Sequence, residues 1–237
     1  MKLPKPAVDY RRLRPSNLNS PEFSHLKLLL FWPLFGLAFM YVERFHQVDH
    51  YNVIHCALDD IIPFNEWFLF PYMFWFLFLV GIHIYTLLYD TTAFRKMMRF
   101  IMISYTTALV IYFVYPNCQE LRPETFQRDN VLTRFMAGFY QFDTNTNVLP
   151  SIHVIGSLAV MFTAWNCKGL EHWGWKLGFG LTAALISIST VFLKQHSAID
   201  VLVALPICLI CYKLSFSSRW AKALSAPVPQ PKAQAGT

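Results

Sequence analysis

Asn147-Val148-Leu149-Pro150-Ser151-Ile152-His153 opens the stretch whose reading decides the fold, and Lys194-Gln195-His196-Ser197-Ala198-Ile199-Asp200 closes it. Between them run two apolar segments joined by a short loop carrying Lys168 and Lys176. Each segment approaches the ~20 residues that a helix needs to cross a bilayer. A chain that crosses and returns brings His153, His196 and Asp200 to one side. Two imidazoles and a carboxylate gathered at a membrane surface point to chemistry.

The rest of the chain agrees with a membrane reading. Of 237 residues, 55% are hydrophobic and only 14% charged, against about 25% charged in soluble domains. Apolar runs at about 26–42, 67–89, 98–115, 148–165, 175–193 and 198–216 predict an all-α polytopic protein, six transmembrane helices in one bundle over 26–216. Residues 1–25 read as a cytoplasmic basic arm at an anionic membrane surface or partly disordered. Residues 217–237, rich in Pro, Ala, Lys and Gln, read as a disordered cytoplasmic tail. The first run starts near Leu26 with no small-residue cleavage site after it, so it reads as a retained span rather than a signal peptide. The five cysteines lack CxxC spacing. Cys208 and Cys211 read as packing residues, and a Cys56–Cys118 disulfide is open if both face an oxidising compartment.

Positive charge sets the expected topology. With the N-terminus inside, fifteen of the 20 Lys and Arg residues fall on the inner side. The outer side holds Arg44, Arg122, Arg128, Arg134 and Lys194. Both termini are then cytoplasmic, and His153, His196, Asp200, Arg122 and Lys194 share the non-cytoplasmic face. The small size suggests a bacterial inner membrane.

His196 and Asp200 stand four apart at the start of an apolar helix, hence on one face. A carboxylate beside an imidazole fixes its tautomer and raises the basicity of the far nitrogen. Such a histidine can attack phosphorus, and His153, from another helix, can act as general acid on the leaving oxygen. Arg122 and Lys194 offer positive charge for a phosphate. Pro150 suits a first helical turn, leaving the following amides free for an anion, with the Ser151 hydroxyl as a further donor. This set needs no metal or other cofactor.

Pro150-Ser151-Ile152-His153 resembles the PSGH element of the type 2 phosphatidic acid phosphatase superfamily. Ser189-Thr190 followed by His196 and Asp200 resembles its SRxxxxxHxxxD element, and Arg122-Pro123 the end of its KxxxxxxRP element. The resemblance covers about 100 residues and implies six spans with an outward-facing site. It also implies His196 as nucleophile, Asp200 as its support and His153 as acid. Tyr115, Thr190 and Ile152 stand where the family has lysine, arginine and glycine. That looser form is similar to the inositol phosphorylceramide synthase and sphingomyelin synthase branch, which moves a phospho-headgroup to a lipid alcohol.

The expectation is therefore a metal-independent lipid phosphate phosphatase or phospho-headgroup transferase. It would act on a lipid phosphate or phospholipid, with no nucleic-acid partner. Two other classes stay open: a non-catalytic lipid-binding or transport protein, motivated by the absent lysine and arginine, and a metal enzyme ligated by His153, His196 and Asp200. His46, Asp49, His50 and His55 form a second cluster with a known ligand set, read as a solvated or substrate-facing loop. Asp59 and Asp60 read as a capping or surface pair, and His83 as a packed polar residue. Trp32, Trp67, Trp75, Trp173 and Trp175 read mostly as interface anchors or lipid-facing side chains.

Overall fold

The computed structural model describes residues 5–46 and 48–217; the expected disordered tail falls, apart from Ser217, outside them. The chain is all-α. Five helical segments are long and apolar enough to cross a membrane: Ser24–Arg44, Glu66–Tyr89, Thr91–Val114, Trp173–Phe192 and Ala198–Phe216. Their outward surfaces carry Leu34, Phe76, Leu181 and Ile210, all more than half exposed. Side chains this apolar on an outer surface belong to an integral membrane protein.

The α-helices are α1 (Phe31–Arg44), α2 (Ala57–Ile61), α3 (Leu69–Tyr89), α4 (Thr91–Val114), α5 (Val131–Phe142), α6 (Ile152–Trp165), α7 (Trp173–Phe192) and α8 (Ala198–Phe216). A 3₁₀ stretch, Ser24–Leu30, leads into α1. α6 is the hub, packed on α3, α4, α7 and α8. Its 14 residues reach only roughly 21 Å at 1.5 Å per residue. Ile155, Ala159 and Val160 are fully buried, as are Tyr105 and Ala108 of α4 and Ile186 of α7. α6 and α8 begin side by side at one end of the bundle, and the site lies at that junction.

Two connections at that end, expected as loops, hold elements of their own. Between α1 and α3 lie α2 and β1 (Asn52–Val53). Between α4 and α6 lie β2 (Asn117–Cys118) and α5. β1 and β2 pair in parallel, Asn52 with Asn117 and Val53 with Cys118. Asn130 caps α5 by accepting from the amides of Leu132 and Thr133 (2.9 and 3.0 Å). Leu132, Phe139 and Tyr140 pack with buried Met136 against Leu69, Tyr72 and Leu193.

Several expectations change. α4 begins at Thr91 rather than 98, so Arg95, Lys96 and Arg99 lie within it. The cause is Asp90, whose carboxylate accepts from Ala93 N (2.9 Å) and starts the helix at once. Pro150 lies before the cap of α6 rather than in its first turn, because Ser151 is the N-cap; the Leu149–Pro150 bond is cis. Cys56 and Cys118 are free thiols. Residues 5–23 of the arm are docked on the far end of the bundle. There Ala7 N donates to Leu88 O (2.7 Å), Tyr10 Oη donates to Leu87 O (2.7 Å), and Phe23 is buried. Trp32 and Trp75 face inward. Trp32 Nε1 donates to His83 Nε2 (3.3 Å), while His83 Nδ1 donates to Leu79 O (2.7 Å), so His83 is a packed, satisfied side chain.

Candidate functional site

The three predicted reactive side chains meet at the junction of α6 and α8. His196 precedes the N-cap of α8, and its Nδ1 lies 3.0 Å from Asp200 Oδ2. Asp200 is fully buried, and the same Oδ2 accepts from Ser197 N (3.0 Å), closing a capping box. A carboxylate only accepts in its ionised form. Nδ1 of His196 therefore carries the proton, and Nε2 carries the free lone pair. His153, second residue of α6, sits with its ring centroid 5.7 Å from that of His196, nearly edge-on. The backbone joins the two helices as well, since Ser151 N donates to Asp200 O (3.3 Å).

His153 is held by rings. Tyr72 lies 4.6 Å away and Trp75 4.5 Å. Its Nδ1 is buried with no hydrogen-bond partner. Trp75 can come this close because residue 156, one turn on, is glycine. A Cβ there would stand 2.7 Å from Tyr105 Oη and 2.8 Å from Trp75 Nε1.

The segment that delivers α6 is fixed by Asn117, which is fully buried. Its Oδ1 accepts from Val148 N and Leu149 N, both at 2.8 Å. Its Nδ2 donates to Tyr115 O (2.8 Å) and Leu149 O (3.2 Å). That uses the whole capacity of the amide. Tyr112 Oη donates to Pro150 O (2.5 Å). Asn147 holds a left-handed backbone, φ 54°, and donates its Nδ2 to Glu43 Oε1 (2.6 Å).

The predicted phosphate-binding residues are differently employed. Arg122 Nη1 donates to the carbonyls of Tyr140 (3.0 Å) and Asp143 (2.8 Å). Its Nη2 donates to Thr144 O (2.7 Å) and Gln195 Oε1 (2.6 Å). The guanidinium lies 4.7 Å over the Tyr140 ring. Only Nε, buried, lacks a partner. Burial pulls the Arg122 pKa below its ordinary value, against the nearby Asp143 charge. Lys194, also left-handed at φ 52°, donates Nζ to Asp59 O (2.6 Å) and Ile62 O (2.5 Å). Ser151 accepts from Val154 N (3.5 Å), which leaves the Ile152 and His153 amides among those a helix cannot satisfy itself. Thr190 is buried, its hydroxyl donating to Ser187 O (2.8 Å). Its carbonyl accepts from Gln195 N (2.9 Å) and His196 N (3.1 Å).

Sequence reasoning passes over Tyr72, Asn117, Asp143 and the role of Gln195, and it reads Trp75 as an interface anchor rather than a wall of the site. Asp143 Oδ2 accepts from Gln195 Nε2 at a long 3.4 Å. Burial pushes its carboxyl above the usual range, and the Arg122 charge only partly offsets that. Beside the site a cavity of about 480 Å³ is lined by Lys194, Glu66, Arg128, Thr133, Phe64 and Phe126 among others. That volume falls within the roughly 300–1,000 Å³ range of small-molecule sites. Among the described residues no three His, Cys, Asp or Glu side chains converge on a common metal position. His55 Nε2 pairs with Asp60 Oδ1 (2.8 Å) in the open, and His46 stacks on Phe113 (4.5 Å).

Comparison with family models, curated proteins and solved structures finds no match for this chain.

Proposed function

We propose that the chain is a membrane enzyme that cleaves a lipid phosphoester through a phosphohistidine on His196. The observation that carries this is the buried His196–Asp200 pair, Nδ1 to Oδ2 at 3.0 Å, facing the His153 ring. Asp200 keeps the proton on Nδ1, so Nε2 can attack phosphorus. The P–O bond to the leaving group breaks as the P–N bond forms, and His153 passes a proton to the departing oxygen. Neutral His153 then takes a proton from water or an acceptor alcohol, whose oxygen displaces His196 from phosphorus. The free amides of the first α6 turn are the donors available to the phosphoryl oxygens. The resemblance to the type 2 phosphatidic acid phosphatase superfamily supports the same roles. The charge bias supports a site on the non-cytoplasmic face with both termini inside, and the small size of the chain supports a bacterial inner membrane.

A second reading, headgroup transfer to ceramide or diacylglycerol, is favoured by one observation. The cations of the hydrolase pattern are replaced by Tyr115 and Thr190, while Lys194 and Arg122 are tied to carbonyls. Such a cradle suits a phosphodiester better than a dianionic phosphate.

The test is a mass spectrum of the purified protein stopped early in turnover with a short-chain phosphatidic acid, or with a phospholipid plus ceramide or diacylglycerol. The expected result is phosphate or a phospho-headgroup on His196, absent in His196→Ala along with turnover. Wild-type turnover by His196→Ala would sink the mechanism. Tight lipid binding without turnover, equal in both proteins, would favour a binding or transport protein. Free phosphate as sole product would exclude the transferase.

A further inference from the structure

His196 lies in a connection, and connections move more than helices do. What holds it is α2, a five-residue helix far away in sequence. Asp59 on α2 is 2% exposed. Its Oδ2 accepts from Ser197 Oγ (2.5 Å) and Cys56 N (2.9 Å). Its Oδ1 accepts from Ala198 N (2.8 Å). Its own carbonyl, with that of Ile62, takes the Lys194 ammonium. One helical turn therefore grips the chain on both sides of Gln195 and His196.

The grip passes directly to the reactive pair. Ser197 gives its hydroxyl to Asp59 and its amide to Asp200 Oδ2. The same Oδ2 receives His196 Nδ1. The carboxylate also faces the positive end of the α8 dipole, where negative charge is stabilised. Two strong bonds offset the left-handed backbone of Lys194; without them a β-region conformation is cheaper, and the turn before His196 would relax.

We propose that Asp59 is a positioning residue for the reaction assigned above, holding residues 194–198 so that His196 Nδ1 stays on Asp200. The inference rests on that assignment for its kinetic consequence, while its structural consequence stands alone. Asp59→Asn replaces one acceptor oxygen by an N–H donor facing Cys56 N or Ala198 N, backbone amides that can only donate. The turn must shift by a fraction of a bond length or more. Misplacement of that order costs about 100-fold in rate.

The experiment compares wild type, Asp59→Asn, Ser197→Ala and the double variant, each as the full chain in detergent. For each protein it reads kcat, KM, amide hydrogen exchange and the thermal midpoint. The expected result for Asp59→Asn is a ~100-fold fall in kcat with KM within about threefold. Exchange should rise at least tenfold at residues 195–198 and stay unchanged in α4 and α6. The double variant should be no slower than Asp59→Asn, because both changes cut the same link. Three outcomes overturn the proposal: wild-type kcat, losses that multiply in the double variant, or exchange raised throughout the bundle, which marks a general stability role. If His196→Ala retains turnover, the assigned reaction fails. The local exchange change at 195–198 still decides whether Asp59 holds the turn.

Discussion

The two sides of the site are built on opposite terms. On the α8 side, His196 is held by a carboxylate, that carboxylate by a capping amide, and the turn before it by Asp59 and Lys194. On the α6 and α5 side, His153 is held by Tyr72 and Trp75 with its Nδ1 unpaired, and Asp143 by one long bond from Gln195. Hydrogen bonds fix a tautomer, whereas ring packing fixes a place and leaves the proton free. A nucleophile needs the first and a proton carrier needs the second. The difference between the sides therefore matches the difference between the two proposed roles.

The sharpest way to break this contrast is Asp200→Asn. The amide keeps the shape but can present N–H to His196 Nδ1, which favours the wrong tautomer. The same exchange in the triad of a serine protease costs about 10⁴-fold, and a kcat loss of roughly 10³- to 10⁴-fold with little change in KM is expected here. A loss below tenfold would mean that tautomer control is not what the α8 side provides. Imidazole ¹⁵N spectra of the two proteins would show the proton on Nδ1 in wild type only.

The other side is attacked through Gly156. In Gly156→Leu the new side chain collides with Trp75 and Tyr105, so Trp75 leaves the His153 ring. Overpacking of this kind costs about 1–3 kcal/mol, and a fall of about 10- to 100-fold in turnover of a natural lipid phosphate is expected. An aryl phosphate with a good leaving group needs no proton from His153, and its turnover should fall far less. Equal losses on both substrates would show that Trp75 supports the whole site rather than His153 alone.

These contrasts separate what the sequence discloses from what it hides. The helix hairpin, the His-x-x-x-Asp spacing and the six apolar segments are periodic and local, and they can be read from the chain. α5 is legible too: Asn130 followed by Thr133 is a capping pair, and Leu132, Met136 and Phe139 follow one face. It escapes notice because a 12-residue helix disappears inside a long polar connection. Asp59 is 138 residues from Ser197, and nothing local marks it as a partner. Arg122 and Lys194 mislead for another reason. Most of their partners are backbone carbonyls, which every residue carries, so no sequence signal tells a committed cation from a free one.

The smallest expected effect compares two buried carboxylates outside the reactive trio, Asp59 and Asp143, through pH. For Asp59, burial raises the pKa, but the hydrogen bonds from Ser197, Ala198 and Cys56 outweigh it, and the folded value lies below the unfolded one. Its stabilisation is thus present above the unfolded Asp value of about 3.9 and is lost as pH falls through the lower, folded value. For Asp143, burial dominates and the folded value lies above the unfolded one. Its contribution has the other sign: stability declines as pH rises from about 3.9 through the folded value, and the cost stays in place at neutral pH. Thermal midpoints in detergent between about pH 3 and about pH 7 should therefore diverge. Asp59→Asn should fall below wild type near neutrality and close the gap in acid. Asp143→Asn should match or exceed wild type near neutrality and lose that advantage in acid. Parallel curves for the two variants would show that both carboxylates are held alike, and the contrast between the two sides would reduce to the histidines.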